Sequence, residues 1–165
     1  MPRLLLVRHA EAASHAPEGD SGRPLTAHGH ANAKRVGVYL RSSGLIPDRA
    51  ISSPALRARA TLDLILRELP HEPPASELCG ALYRADAEGF IKIAAQTSSA
   101  VKTLLVIGHH PGVGEFARLL VEPENALPQQ FSAPSLAVID IMGGDWSEAG
   151  PGCGRLQLFK DFASA

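Results

Sequence analysis

Cysteine is scarce in this chain of 165 residues: there are two, Cys79 and Cys153, far apart and in neither a C-x-x-C nor a mixed Cys/His ligand spacing. That excludes a disulfide framework and a thiolate metal site, and leaves two free thiols. Long apolar runs are also missing. The run Leu4-Leu5-Leu6-Val7 is cut short by Arg8 and His9, too soon for the apolar core of a signal peptide. No later run approaches the roughly 20 apolar residues of a transmembrane helix, so a cytoplasmic protein without membrane partners is expected. Charge of one sign is lacking as well: the net charge is -1, without the basic excess by which nucleic-acid-binding proteins grip phosphate backbones. Hydrophobic residues at 45% and charged residues at 20% are ordinary for a soluble globular chain, and the length suits one domain over residues 1–165.

What is present alternates between two patterns. Residues 3–9 and 103–108 are nearly continuous apolar runs, as strands buried on both faces read in sequence. Residues 49–53, 136–142 and 155–159 are further strand candidates. Leu62, Ile65, Leu66 and Leu69 repeat at helical spacing, with Pro54 suited to the first turn of that helix and Pro70 to its end. Val113, Phe116, Ala117 and Leu120 repeat the same spacing. Helices are also predicted over residues 27–43, stopped by Gly44, and over 86–97, with Phe90, Ile93 and Ala94 inward. The alternation predicts an α/β fold of three layers: a mostly parallel central sheet, helices on both faces, and an antiparallel edge hairpin from the last two strands. Residues 12–23 read as a loop over the end of the first strand, and the long connection 121–134 as part of a site rim.

The polar residues that interrupt these patterns sit where open α/β sheets place ligands, beyond the carboxyl ends of strands. Arg8-His9 ends the first strand, and Gly108-His109-His110-Pro111-Gly112 follows the other strong one. Ser52-Ser53-Pro54 marks a third strand-to-helix transition, with Arg57 in the first helical turn. A cation is the wrong charge for the positive end of a helix dipole, so Arg57 is better explained if an anion lies between. Taken alone, Arg8-His9 reads more simply as a solvated turn, and Arg59 as an ordinary surface arginine. Taken together, two arginines and two histidines at three strand ends make a cationic pocket without a carboxylate or cysteine cluster to hold a metal. A phosphoryl group fits such a pocket. Guanidinium forks hold its oxygens, and an imidazole with an ordinary pKa of about 6.5 keeps a nucleophilic nitrogen near neutral pH. His15, His28, His30 and His71 make a poor metal site, because His28 and His30, two apart on a helix, do not face each other and no carboxylate stands at ligand spacing. Arg23 and Arg84 are candidates for the pocket rim, but each reads more simply as a solvated surface arginine.

Four ordered elements carry a resemblance. Leu5-Leu6-Val7-Arg8-His9-Ala10-Glu11 resembles the R-H-G signature of the histidine phosphatase superfamily, with alanine for glycine. Arg23-Pro24-Leu25-Thr26 with Gly29 is similar to its P-L-T-x-x-G segment. Ser52 to Thr61 is similar to its S-S-P-x-x-R-A-x-x-T element, and Val106 to Gly112 to its V-G-H-N-P-G element, with His110 where asparagine is common. The short length resembles the SixA-like phosphohistidine phosphatases of that superfamily. The resemblance implies a phosphoglycerate mutase-like fold and a metal-independent phosphatase without cofactor. It implies that His9 is phosphorylated, that Arg8 and Arg57 hold the phosphoryl oxygens, and that His109 adds a hydrogen bond to them. One departure bears on substrate. Many relatives use a glutamate after the second arginine element as general acid, and Ala81 falls at its place; Glu77 takes that place only if the match is shifted. A phosphohistidine on a signalling or phosphotransfer protein, whose imidazole leaves easily, is the expected substrate. A small phosphate ester, or phosphate binding without turnover, are the alternatives.

Overall fold

In the computed structural model, which describes residues 1–70, 72–121, 123 and 127–164, strand β1 (Arg3–Arg8) lies near the middle of a six-stranded sheet. Its apolar run is explained by burial on both faces, since Leu4, Leu5, Leu6 and Val7 are fully buried. Helix α1 (Ala27–Ser42), strand β2 (Arg49–Ser52), helix α2 (Leu56–Glu68) and strand β3 (Ala75–Leu78) follow. Then come helix α3 (Ala87–Ala95), strand β4 (Thr103–Gly108), helix α4 (Gly112–Leu120), and strands β5 (Ser135–Ile141) and β6 (Gly154–Asp161). The strand order is β3-β2-β4-β1-β5-β6. The first four run parallel, β5 is antiparallel to β1, and β6 is antiparallel to β5 at the edge. The expected three-layer α/β fold with an edge hairpin is therefore the one observed.

Side-chain alternation along β1 divides the core. Leu4 and Leu6 pack with Phe90 of α3 and Phe116 of α4, whose rings stack with centroids 5.1 Å apart. Leu5 and Val7 pack on the other face with Val36 and Leu40 of α1 and Leu62 and Ile65 of α2. The consequence for function is positional: β1, β2 and β4 run in one direction, so Arg8, Ser52 and Gly108 end side by side, in register Arg8 with Gly108 and Ser52 with Ile107.

Two expectations need correction. Helix α2 begins at Leu56, two residues after Pro54, because Ala55 is still extended (φ -56°, ψ 139°) and its N–H is held by the Ser53 hydroxyl at 3.2 Å. Strand β3 had no counterpart among the predicted strands. All four of its residues are exposed at the sheet edge, so it lacks the apolar pattern that reveals the others. Glu77 lies on this strand.

Candidate active site

The chain beyond β1 is bracketed by the elements that the sequence motifs supply. The Ala10 N–H donates to the Thr61 hydroxyl (3.0 Å), and that hydroxyl donates to the Arg57 carbonyl one turn back in α2 (2.7 Å). The next carbonyl, that of Glu11, accepts the Thr26 N–H at 3.0 Å, while the Thr26 side chain caps α1 at the Gly29 N–H (2.9 Å). A Cβ at position 29 would collide with the Glu11 carbonyl, which accounts for the glycine. Gly108 is equally confined: a Cβ there would come within 2.7 Å of the Phe90 ring and 2.9 Å of Val113. These contacts press three loop ends together.

His9, Arg57 and His109 are 7%, 5% and 8% exposed, and with Arg8, Glu11, Ala12, Arg23, His110 and Ala133 they line a cavity of about 280 Å³. His9 Nδ1 lies 2.7 Å from the Ala10 carbonyl, which has no proton to give, so Nδ1 carries the hydrogen. Nε2 therefore keeps its lone pair, and the Arg57 Nε–H donates toward it at 3.3 Å. The rings of His9 and His109 stand with centroids 5.0 Å apart. Burial, then His109, Arg57 and Arg8, push the His9 pKa down to about 3 against the pull of the Ala10 carbonyl. Burial and then Arg57 push His109 down to about 4. Both imidazoles are neutral at pH 7. Arg8 donates from Nη1 to the Phe131 carbonyl, which brings the connection between α4 and β5 to the rim as expected, and its buried Nε has no partner among the described residues.

The loop over β1 contributes a residue that sequence reasoning missed. Asp20, in a 3-10 turn, accepts Arg57 Nη1 at its carbonyl (2.8 Å) and Nη2 at its carboxylate (3.1 Å), and also Arg23 Nε (2.9 Å). The Tyr83 hydroxyl donates to the same carboxylate, and the Tyr83 ring meets His109 edge-on at 5.5 Å. These partners, the Tyr83 hydroxyl first, hold the Asp20 carboxyl far below its ordinary value. The sequence signal for Asp20 was its spacing of three from Arg23; Tyr83 had none beyond its nearness to Ala81. Arg23 lines the cavity, the less favoured of its two readings, because Asp20 and the Ala13 carbonyl (2.9 Å) draw it inward. Arg59 and Arg84 are exposed.

Glu77 is not among the residues that line this cavity. It pairs with Arg49, near the opposite end of β2, at 2.7 Å. Ala81 is exposed in the 3-10 turn that carries Tyr83. His28 does have a carboxylate neighbour, Glu11 at 3.5 Å, contrary to the expectation from spacing; it is brought there by the bond between Thr26 and Glu11. His15 and His30 are exposed, and His71 lies outside the described residues. Among the described residues no three His, Cys, Asp or Glu side chains cluster in a metal-holding group. None of the described helices is long and apolar enough to cross a membrane.

The family model described as the histidine phosphatase superfamily (branch 1) matches residues 4–78. An uncharacterized protein of Picosynechococcus is 32% identical, over 71% of this chain and 72% of its own. The phosphohistidine phosphatase SixA of Escherichia coli is 28% identical over 84% of this chain and 85% of its own. A solved structure of the protein histidine phosphatase SixA complexed with tungstate superposes with a TM-score of 0.81 at 27% identity, covering 97% of each chain. Sequence motifs, sheet topology and relatives agree, and the chain belongs to the histidine phosphatase superfamily, with SixA proteins among its relatives.

Proposed function

We propose that this protein is a phosphohistidine phosphatase that works through a phosphorylated His9 and needs no metal. The observation that carries the reading is the state of the His9 ring: Nδ1–H is committed to the Ala10 carbonyl, so the nucleophilic electron pair is on Nε2, where the Arg57 Nε–H now points at 3.3 Å, on a residue that lines the cavity. Nε2 attacks phosphorus, forming a new P–N bond as the bond to the substrate imidazole breaks; that ring takes the electron pair and leaves neutral because its other nitrogen carries a hydrogen. Water then attacks the same phosphorus, releasing inorganic phosphate and returning the electron pair to Nε2. Arg8 and Arg57 stabilise charge on the phosphoryl oxygens through positions held before substrate arrives, and His109 donates one further hydrogen bond. Asp20 keeps Arg57 in place and leaves part of its guanidinium for the substrate. The substrate assignment draws on the SixA relatives and on the pairing of Glu77 with Arg49 instead of a place on the cavity wall, and the whole of residues 1–165 is read as one catalytic domain.

The deciding experiment offers the protein a ³²P-phosphohistidine protein and quenches in alkali. An alkali-stable, acid-labile label on the wild type and none on His9→Ala is the expected result. Full turnover by His9→Ala would overturn the mechanism.

A further inference from the structure

A neutral imidazole has one N–H, so His109 can donate to a phosphoryl oxygen only if its other nitrogen is an acceptor. We propose that Ser53 makes that choice: its buried hydroxyl donates to His109 Nε2 and so leaves the ring's single hydrogen on Nδ1, the nitrogen without a partner among the described residues. The inference rests on the proposed role of His109, and adds a positioning residue to it.

The argument is a count of donors and acceptors. Ser53 is fully buried, and its Oγ stands 2.7 Å from His109 Nε2. The same Oγ accepts the Ala55 N–H at 3.2 Å, the bond that delays the start of α2. Its own hydrogen then has one recorded destination among the described residues, His109 Nε2. The reverse assignment, with Nε2–H donating to Oγ, would strand the serine hydrogen in a buried place without an acceptor, at a cost of about 1–3 kcal/mol. It would also leave Nδ1 as a bare lone pair. Nδ1 is buried and has no partner among the described residues, on a ring that lines the cavity opposite His9. A lone pair there would repel a phosphoryl oxygen, whereas an N–H would bind it. The ring also stays neutral at working pH, so it cannot escape the choice by carrying two hydrogens. Ser53 thus ties the second arginine element to the second histidine element: one hydroxyl sets both the entry into α2 and the tautomer of His109.

The test is the tautomer itself, read from two-bond ¹H–¹⁵N spectra of labelled protein, with His109 assigned by comparison with His109→Gln. The expected wild-type pattern has Nδ1 protonated and Nε2 bare, with Nδ1 shifting on addition of inorganic phosphate. In Ser53→Ala the ring should shift to a mixture or to the Nε2–H form, and kcat on an aryl phosphate should fall by roughly 10- to 100-fold, less than the roughly 10²–10³ for removing a preorganised donor outright because the His109 ring is still present. Ser53→Thr, which keeps the hydroxyl, should restore the Nδ1–H signature and most of the rate. An Nε2–H tautomer in the wild type overturns the proposal, without any variant having to fold. So does a Ser53→Ala protein with unchanged tautomer and unchanged rate. A wild type that shows the Nδ1–H form but no phosphatase activity would instead count against the proposed function alone.

Discussion

Thr61→Val removes one hydroxyl and should damage both the fold and the site. Valine keeps the shape of threonine at a fully buried position, so little beyond the polar loss enters the comparison. Two hydrogen bonds vanish: the one accepted from the Ala10 N–H at 3.0 Å and the one given to the Arg57 carbonyl at 2.7 Å. The Ala10 N–H is left buried without its partner. Such an orphan costs about 1–3 kcal/mol, and for a chain of this size about 2 kcal/mol lowers Tm by roughly 4–8 °C. The peptide released is the one joining His9 to Ala10, next to the carbonyl that holds His9 Nδ1, so kcat/KM on an aryl phosphate should fall by roughly 10-fold, since small misplacements of a nucleophile are expensive. Thr61→Ser keeps both bonds and should lose only about 1 kcal/mol for the methyl group. Thermal unfolding followed by circular dichroism, alongside steady-state kinetics, reads both effects. A Thr61→Val protein as stable and as active as Thr61→Ser would refute the claim that this hydroxyl brackets the loop.

Arg57→Ala should lower kcat/KM by roughly 10²–10³-fold, as losing a preorganised donor does, whereas exposed Arg59→Ala should change it less than 2-fold or so; the opposite pattern would show the wrong helix face toward the cavity. The His9 ring should stay neutral in NMR titration down to about pH 4, given its pKa of about 3, and a midpoint near 6.5 would contradict its burial. Because His9 and His109 are depressed from their unfolded value of 6.5, their contribution to stability is present above pH 6.5 and is lost as pH falls from there toward about 3 to 4; urea unfolding across that range should show the decline. Activity should persist in excess EDTA, and a loss restored by a divalent cation would place a metal in the reaction.

Strands buried on both faces were legible because burial leaves an uninterrupted apolar run, as at Leu4 to Val7, and helices were legible where one face repeats, as at Val113, Phe116, Ala117 and Leu120. Strand β3 was not, because backbone pairing to β2 holds it and its exposed side chains leave no pattern. The four principal site residues lay at strand and helix ends, where a polar residue breaking an apolar run is visible in one dimension. The places of Asp20, Arg23 and Tyr83 at the site were harder to read, for the opposite reason. Each sits in a polar loop or short turn where one more polar residue is unremarked, and their meeting depends on two separate loops reaching over the same pocket. Ser53 and Thr61 were seen as motif letters, but their hydrogen bonds span 56 and 51 positions and belong to three dimensions.

The substrate question turns on whether any group near the cavity can give a proton. Asp20 is held strongly acidic by Tyr83 and Arg57, and Glu11 is lowered by the Thr26 hydroxyl and then by His28, so both are carboxylates at neutral pH. Glu77 is paired with Arg49 on the edge strand. The Tyr83 phenol does hold a proton, but commits it to a hydrogen bond with Asp20, and that bond, then burial and the Asp20 charge, raises the phenol above its usual pKa of 10. No carboxylic acid on the cavity wall therefore has a proton to give the leaving group. An alkoxide leaves badly without a proton, and the help of a general acid is typically worth about 10²–10⁴ in rate. An imidazole that already carries a hydrogen on its other nitrogen, and phenols bearing electron-withdrawing groups, need much less help. Rates on phosphohistidine and activated aryl phosphates should exceed those on sugar phosphates by a factor of that order, with Glu77→Gln indistinguishable from wild type. Comparable rates on alkyl phosphates would refute this. A Glu77→Gln defect confined to those substrates would identify a glutamate acid after all, and the same defect in Tyr83→Phe would identify the phenol.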